Sequence, residues 1–257
     1  MTGVSARAAA EAAGIPEREL ATLEATGRAV KRPDFHRLAA LIGLEGAKLE
    51  QIADGWVPTG KNLRIWRQFR CLTTTDGEMA VNSYLVWDEV SREAALFDTG
   101  WSAEPILREV GQYQLELRQV FITHSHEDHV AALDVICGHF PKARVYSGLS
   151  RAPWKARLGP REFIELGGLR ISPRDTPGHA TDGTTYLVEN WPDDAPPVAI
   201  VGDAIFAGSI GRGNQSWELA RRKVREQILS LPPQTLLCPG HGPLTTVAEE
   251  MAHNPFF

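Results

Sequence analysis

Between Thr123 and Val130 the chain reads THSHEDHV, placing three histidines and two carboxylates within the six residues His124 to His129, directly after the apolar run RQVFI. Imidazole nitrogen and carboxylate oxygen are the donors that borderline divalent cations such as zinc accept. His124 closes an expected strand and His126 stands two residues on, so both can project from one strand-to-helix turn. Asp128 and His129 then open the next helix. A charged helix N-terminus accounts for Glu127 and Asp128 through the helix dipole but leaves three histidines unexplained.

Three later segments repeat the pattern. TPGHATDG presents His179, IVGDAIF ends an apolar run on Asp203, and LLCPGHGP ends another on His241. Each sets one ligand-type side chain at a strand terminus or in the adjoining loop, beside glycines that permit close backbone approach. A carboxylate after four apolar residues is costly to bury unless it is paired or bound to metal. His36 and His253 stand in no such motif, and His139, in CGHF, is expected to end a helix away from the site.

The elements that must position these residues fall into two textures. Up to about residue 55 the chain is rich in Ala, Leu and Glu, with helical spacing in ARAAAEAAG, ERELATLEATG, DFHRLAALIGL and GAKLEQIADG. Gly14, Gly27, Gly43 and Gly55 stand where helix C-termini belong, Pro16 suits a first-turn position, and Pro33-Asp34 can open a helix. Beyond Trp56-Val57-Pro58, strands are expected at 63–72, 80–87, 94–100, 118–124, 143–148, 169–175, 184–190, 198–203 and 235–240, with helices near 103–111, 127–138 and 217–230. The expected domains are therefore a helical unit over 1–57 and a layered αβ unit over 58–257.

Bulk properties restrict the function classes. The 257 residues are 43% hydrophobic and 23% charged with a net charge of −5, which gives no general pull toward nucleic acid or anionic membrane. The start lacks the apolar core of a signal peptide, since Arg7 and Glu11 interrupt the alanines, and no segment approaches a membrane span. Cys71, Cys137 and Cys238 are odd in number and lack CxxC spacing, which fits a reducing compartment. A soluble cytoplasmic protein is expected. Cys238 reads as a buried strand cysteine, and Trp154, Trp191 and Trp217 could wall an apolar pocket, with packing the favoured role.

HxHxDH at 124–129, a later single histidine, a Gly-Asp after a strand and a final PGHGP, in that order, resemble the metallo-β-lactamase superfamily over about residues 60–257. GDAIFAGSIGRGN and the closing LLCPGHGPLTTVAEEMAHNPFF are similar to small glyoxalase II-type thioester hydrolases. The resemblance implies an α/β fold, a four-layer αββα sandwich preceded here by the small all-helical N-terminal unit, with two divalent metal ions at one edge of the sheets. His124, His126 and His179 would hold the first metal, Asp128, His129 and His241 the second, and Asp203 would bridge them. Zinc is the expected metal, with iron or manganese as alternatives.

Such a centre would act through a hydroxide bridging two ions roughly 3.5 Å apart, on a small-molecule thioester or ester, with Asp128 delivering a proton to the leaving group. Asp98, in LFDTG, matches a position that supports a ligand histidine in the family, or else simply forms the turn before Gly100. Asp203, where zinc β-lactamases carry a cysteine, points away from antibiotic hydrolysis. VAALDVI after His129 lacks the Gly-Gly pair of many relatives, and no counterpart of the glutathione-gripping C-terminal helical domain of larger glyoxalase II enzymes is expected. A lactonase, an RNA-cleaving hydrolase and an iron persulfide dioxygenase are the alternatives on the same fold.

Residues 14–53 resemble the later helices of Cro/repressor-type helix-turn-helix domains. Residues 1–55 carry seven Lys/Arg against eight Asp/Glu, net −1, and the candidate recognition helix bears Glu17, Glu19 and Glu24. DNA binding calls for a basic face, so docking or homodimer formation is favoured over nucleic-acid contact. The rival reading is a DNA-binding regulator whose metal domain senses a ligand.

Overall fold

Four short helices lead the computed structural model, which describes residues 3–148, 155–156 and 162–257. They are α1 (Ala6–Ala13), α2 (Glu17–Thr26), α3 (Phe35–Ile42) and α4 (Gly46–Ala53). Gly14, Gly27 and Gly43 end the first three at left-handed φ of 66°, 67° and 75°, where a Cβ would be penalised. Ser5 and Asp34 cap α1 and α3 by accepting the amides of Ala8 and Arg37. Pro16 is the N-cap of α2 rather than a first-turn residue, because its ψ of 149° is extended.

The remaining elements are β1 (Phe69–Asp76), β2 (Met79–Trp87), β3 (Glu93–Phe97), α5 (Glu104–Gln112), β4 (Glu116–Ile122), α6 (Glu127–Val130), α7 (Leu133–His139), β5 (Arg144–Ser147), β6 (Lys155–Ala156), β7 (Ile164–Leu166), β8 (Leu169–Asp175), β9 (Thr184–Glu189), β10 (Val198–Gly202), β11 (Ile205–Phe206), β12 (Ser209–Ile210), α8 (Trp217–Gln227), β13 (Leu236–Pro239), β14 (Thr245–Thr246) and α9 (Val247–His253). One sheet runs β1-β2-β3-β4-β5-β6, the other β14-β13-β10-β9-β8-β7, and β11 pairs with β12 in a small hairpin. β3, β4 and β5 pair in parallel, as do β10 and β13.

Alternation along the strands builds the layers. Tyr84 and Val86 of β2, Tyr186 and Val188 of β9, and Val198 and Ile200 of β10 point into the core between the sheets, with Phe97, Phe121 and Leu236. Their neighbours face outward. Leu85, Leu96, Val120 and Ile122 pack under Ile106 and Val110 of α5 and Leu133 and Ile136 of α7, while Leu187, Ala199, Val201 and Leu237 pack under Ala220 and Val224 of α8. The result is the αββα sandwich, in which strands buried on both faces read as continuous apolar runs.

Other expectations change as well. Leu63–Ile65 is a 3-10 turn capped by the Asn62 side chain, so β1 starts only at Phe69. The helix expected over 127–138 is broken into α6 and α7, because the Ala132 amide bonds to Gly100 O instead of continuing the helix. Helix α9 and the short strands β6, β7, β11, β12 and β14 were not expected, since segments this brief carry little periodic signal. Trp191 lies in the core, and Trp217 opens α8 edge-on to Phe256 at 5.4 Å. Trp154 lies outside the described residues. Among the described residues no helix is long and apolar enough to cross a membrane.

Phe121 is fully buried and touches Phe97, Tyr146 and Tyr186 at ring distances of 5.0–5.1 Å. Phe121→Ala should cost about 3–5 kcal/mol in denaturant unfolding, whereas Val90→Ala, at an exposed position, should change stability by less than about 0.5 kcal/mol. Glu249, on α9, accepts from Thr59 and pairs with Lys61. Burial opposes its charge, but these partners outweigh it and lower its pKa from 4.5 to about 2. A lowered carboxyl contributes stability above its unfolded pKa and loses it as pH falls through the folded one. Acid titration should therefore cost the wild type more stability between pH 4.5 and 2 than Glu249→Gln; equal losses would refute the pairing.

Candidate metal centre

The ends of β4, β10 and β13 and the loop after β8 meet at one edge of the sandwich, and they deliver all seven side chains singled out in the sequence. His124, His126 and His179 form one group of converging ligand atoms, and Asp128, His129 and His241 form another. Asp203 stands between them: Oδ1 lies 3.3 Å from His129 Nε2, and Oδ2 lies 3.5 Å from both His179 Nε2 and His241 Nε2.

Four of the five imidazoles are aimed by the hydrogen bond on their other nitrogen. His129 Nδ1–H donates to Asp98 Oδ2 at 2.8 Å, His179 Nδ1–H to Arg212 O at 3.1 Å, and His241 Nδ1–H to Ala80 O at 2.6 Å. Carbonyls and carboxylates only accept, so in all three rings the proton sits on Nδ1 and Nε2 faces the cluster. Thr123 Oγ1–H donates to Asp98 Oδ2 at 2.7 Å, which leaves the Thr123 oxygen to accept from His124 Nδ1 at 3.1 Å. His126 turns Nδ1 inward, 3.0 Å from His124 Nε2 and 3.1 Å from His179 Nε2.

Three ring nitrogens thus face one another. In the second group His241 Nε2 lies 3.1 Å and His129 Nε2 3.6 Å from Asp128 Oδ2. His129 Nε2 and Asp203 Oδ1 are buried with no hydrogen-bond partner. Orphaned donor atoms that converge on a common point from imidazoles and carboxylates are what a divalent cation satisfies, so the residues fit a metal.

The electrostatics agree. Burial, helped by the neighbouring His129 charge, pushes the His124 imidazole down to about 3, leaving its Nε2 lone pair free. Burial also works against His129, but Asp98 and Asp203 outweigh it and raise that ring to about 10. Hydrogen bonds to Asp128 and Asp203 raise His241 to about 10. Burial opposes ionisation of Asp203, yet His129 and His241 hold its carboxyl well below the usual range. The raised values report the negative charge that Asp98, Asp128 and Asp203 gather around His129 and His241, a field that favours a bound cation as it favours a ring proton.

Ser125 and Glu127 are exposed spacers. His139 ends α7 on Val135 O, His36 pairs with Glu50, and His253 stacks on Trp56, all outside the cluster. Cys238 lies in the core between the sheets. Of its two readings Asp98 takes the support of His129; its φ of 55° is left-handed, but residues 98–100 form no turn. Thr123 stands in the opening motif, yet nothing in its identity marked it as the link to His124. The carbonyls of Ala80 and Arg212 carry no signal, because every residue has one. Phe206, with its ring 6.0 Å from that of His241, was likewise not foreseen.

A family model described as the metallo-beta-lactamase superfamily matches residues 76–241. Among curated proteins, the hydroxyacylglutathione hydrolase GloC of Haemophilus influenzae is 28% identical over 202 residues, covering 68% of this chain and 92% of its own. The mitochondrial persulfide dioxygenase ETHE1 of Mus musculus is 30% identical over 185 residues, covering 67% and 70%. The crystal structure of TTHA1623 in a di-iron-bound form superposes with a TM-score of 0.57 at 27% identity, covering 72% of this chain and 100% of that one. With the sandwich, the converging histidines and Asp203 in place, the family match over most of the chain makes it a member of the metallo-beta-lactamase superfamily.

Proposed function

We propose that the chain is a binuclear metal-dependent hydrolase of a small thioester or related ester, of glyoxalase II type. The observation that carries this is Asp203, whose single carboxylate faces nitrogens of both histidine groups at 3.3–3.5 Å. One anion shared between two triads suits two cations better than one. His124, His126 and His179 would hold the first, and Asp128, His129 and His241 the second, with Asp203 between. When bound, such a pair polarises a substrate carbonyl and acidifies water at neutral pH.

The chain's own groups supply the rest. Water adds to the carbonyl carbon, the C–S bond breaks, and the proton from water must reach the departing thiolate. Asp128 is the proposed carrier, because its half-buried carboxylate lies beside His241 at the open side of the cluster. Phe206 offers an apolar wall beside His241. Met79 and Trp101, joined by Trp101 Nε1–H to Met79 O at 3.1 Å, flank Ala80, on whose carbonyl His241 rests.

The similarity to GloC supports a thioester substrate, and the di-iron neighbour supports a two-metal site whose metal can be other than zinc. The similarity to ETHE1 favours a second reading, an iron-dependent oxidation of a persulfide. That reaction consumes oxygen and hydrolysis does not, so an oxygen electrode separates them.

Metal-replete protein assayed against glutathione thioesters, other acyl thioesters, lactones and phosphodiesters should cleave thioesters fastest, and Asp203→Asn or His179→Ala should bring turnover to background. Unchanged turnover in either variant would sink the proposal. Asp98→Ala frees both the ring of His129 and the hydroxyl that holds His124. It should weaken metal affinity by about 10- to 100-fold in chelator competition. Thr123→Val, which removes the hydroxyl between Asp98 and His124 but leaves the Asp98 bond to His129, should cost less.

A further inference from the structure

The helical unit meets the rest of the chain along α4. The Glu45 amide donates to Pro255 O at 2.9 Å, Lys48 Nζ to Met251 O at 2.8 Å, and His253 Nδ1 pairs with Gln51 Oε1 at 2.7 Å. The Trp56 ring stacks on His253 with centroids 4.7 Å apart and planes 25° from parallel. Helix α2, the candidate recognition helix, turns Glu17, Arg18, Ala21, Glu24 and Ala25 to solvent. The seam with the αβ unit is therefore made by α4 and the residues after it.

This seam ends on the hairpin β11–β12. Gly208 at the hairpin turn has φ 68°, and the space its Cβ would take is filled by Ile52 Cδ1, with Trp56 Cζ3 3.4 Å away. From the inner side, the fully buried Glu250 accepts the Gly208 amide at 3.0 Å, and Asn254 Nδ2 donates to Ser209 O at 2.8 Å. The turn is held between α4 and α9. Its two arms both lead to the metal centre: Phe206 lies against His241, and Arg212 O orients His179.

We infer that Ile52 and Trp56 are positioning residues for the metal centre: by closing on Gly208 they fix the segment Ala204–Arg212, and with it the Phe206 wall and the carbonyl that aims His179. The helical unit thus tunes the site from outside rather than serving as a separate binding module. The consequence for substrate binding rests on the hydrolase reading; the consequence for the hairpin does not.

The test uses the full-length, metal-loaded chain. In Ile52→Ala and Trp56→Ala, amide exchange over 205–211 should quicken by about 10-fold or more while β9 and β10 stay protected. For a cleaved thioester, KM should rise several-fold as the Phe206 wall loosens and kcat should fall as His179 loses its aim, and Trp56→Phe should show a smaller change in each readout. A hairpin whose exchange is unchanged while α4 itself loosens would overturn the inference. Should Ile52→Ala fail to fold, Ile52→Val and Trp56→Phe must show a smaller graded rise in hairpin exchange, and a flat response from both would be equally fatal. If the wild type cleaves no substrate offered, the hydrolase reading fails, and exchange alone decides this inference.

Discussion

The buried carboxylate of Asp98, 1% exposed, holds the metal centre to the sheet. Oδ1 accepts the Thr123 amide at 2.7 Å, and Oδ2 accepts both the Thr123 hydroxyl at 2.7 Å and His129 Nδ1 at 2.8 Å. Removing such a charge from water is tolerable only when its lone pairs are filled in this way. The backbone cooperates: the Asp98 amide donates to Phe121 O and the Thr99 amide to His129 O, each at 2.8 Å. Its left-handed φ is the local strain that lets one side chain reach the ends of two parallel connections. Through it, one histidine of each triad is oriented by a single residue on neither.

The second constraint is the packing of sheet on sheet. His241 belongs to the loop after β13, but β2 of the other sheet places it. The Asn82 amide donates to Gly240 O, Asn82 Nδ2 donates to Pro239 O and Gly242 O, and the Tyr84 hydroxyl donates to Pro239 O at 2.6 Å. Gly240 is required at this point, since a Cβ there would collide with Asp203 Oδ1 and His129 Cε1. The apolar core between Phe121, Tyr186 and Val198 therefore acts on the site as well as on stability, because it sets the distance between the two sheets from which each triad draws its ligands.

Long strands and ligand motifs were legible because each carries its own periodic or chemical signature. β8 runs over Leu169–Asp175 as expected, and β2 and β9 lie within a residue of their expected limits. The site residues could be read since His and Asp at strand ends are costly without a purpose. What could not be read was relational. The Gly100 carbonyl splits 127–138 into two helices from another part of the chain, and Thr123, Ala80 and Arg212 act through groups whose partners only the fold reveals. Gly208 looks like an ordinary turn glycine until Ile52, more than 150 residues earlier, is found in the space its side chain would need.

The central claim is that two triads share Asp203. Diffraction from metal-loaded crystals at the absorption edge of the bound metal tests it most directly. The account predicts two anomalous peaks, one among His124 Nε2, His126 Nδ1 and His179 Nε2 and one among Asp128, His129 Nε2 and His241 Nε2, with the Asp203 carboxylate touching both. A single peak at full metal loading, or a second peak away from Asp203, would contradict it.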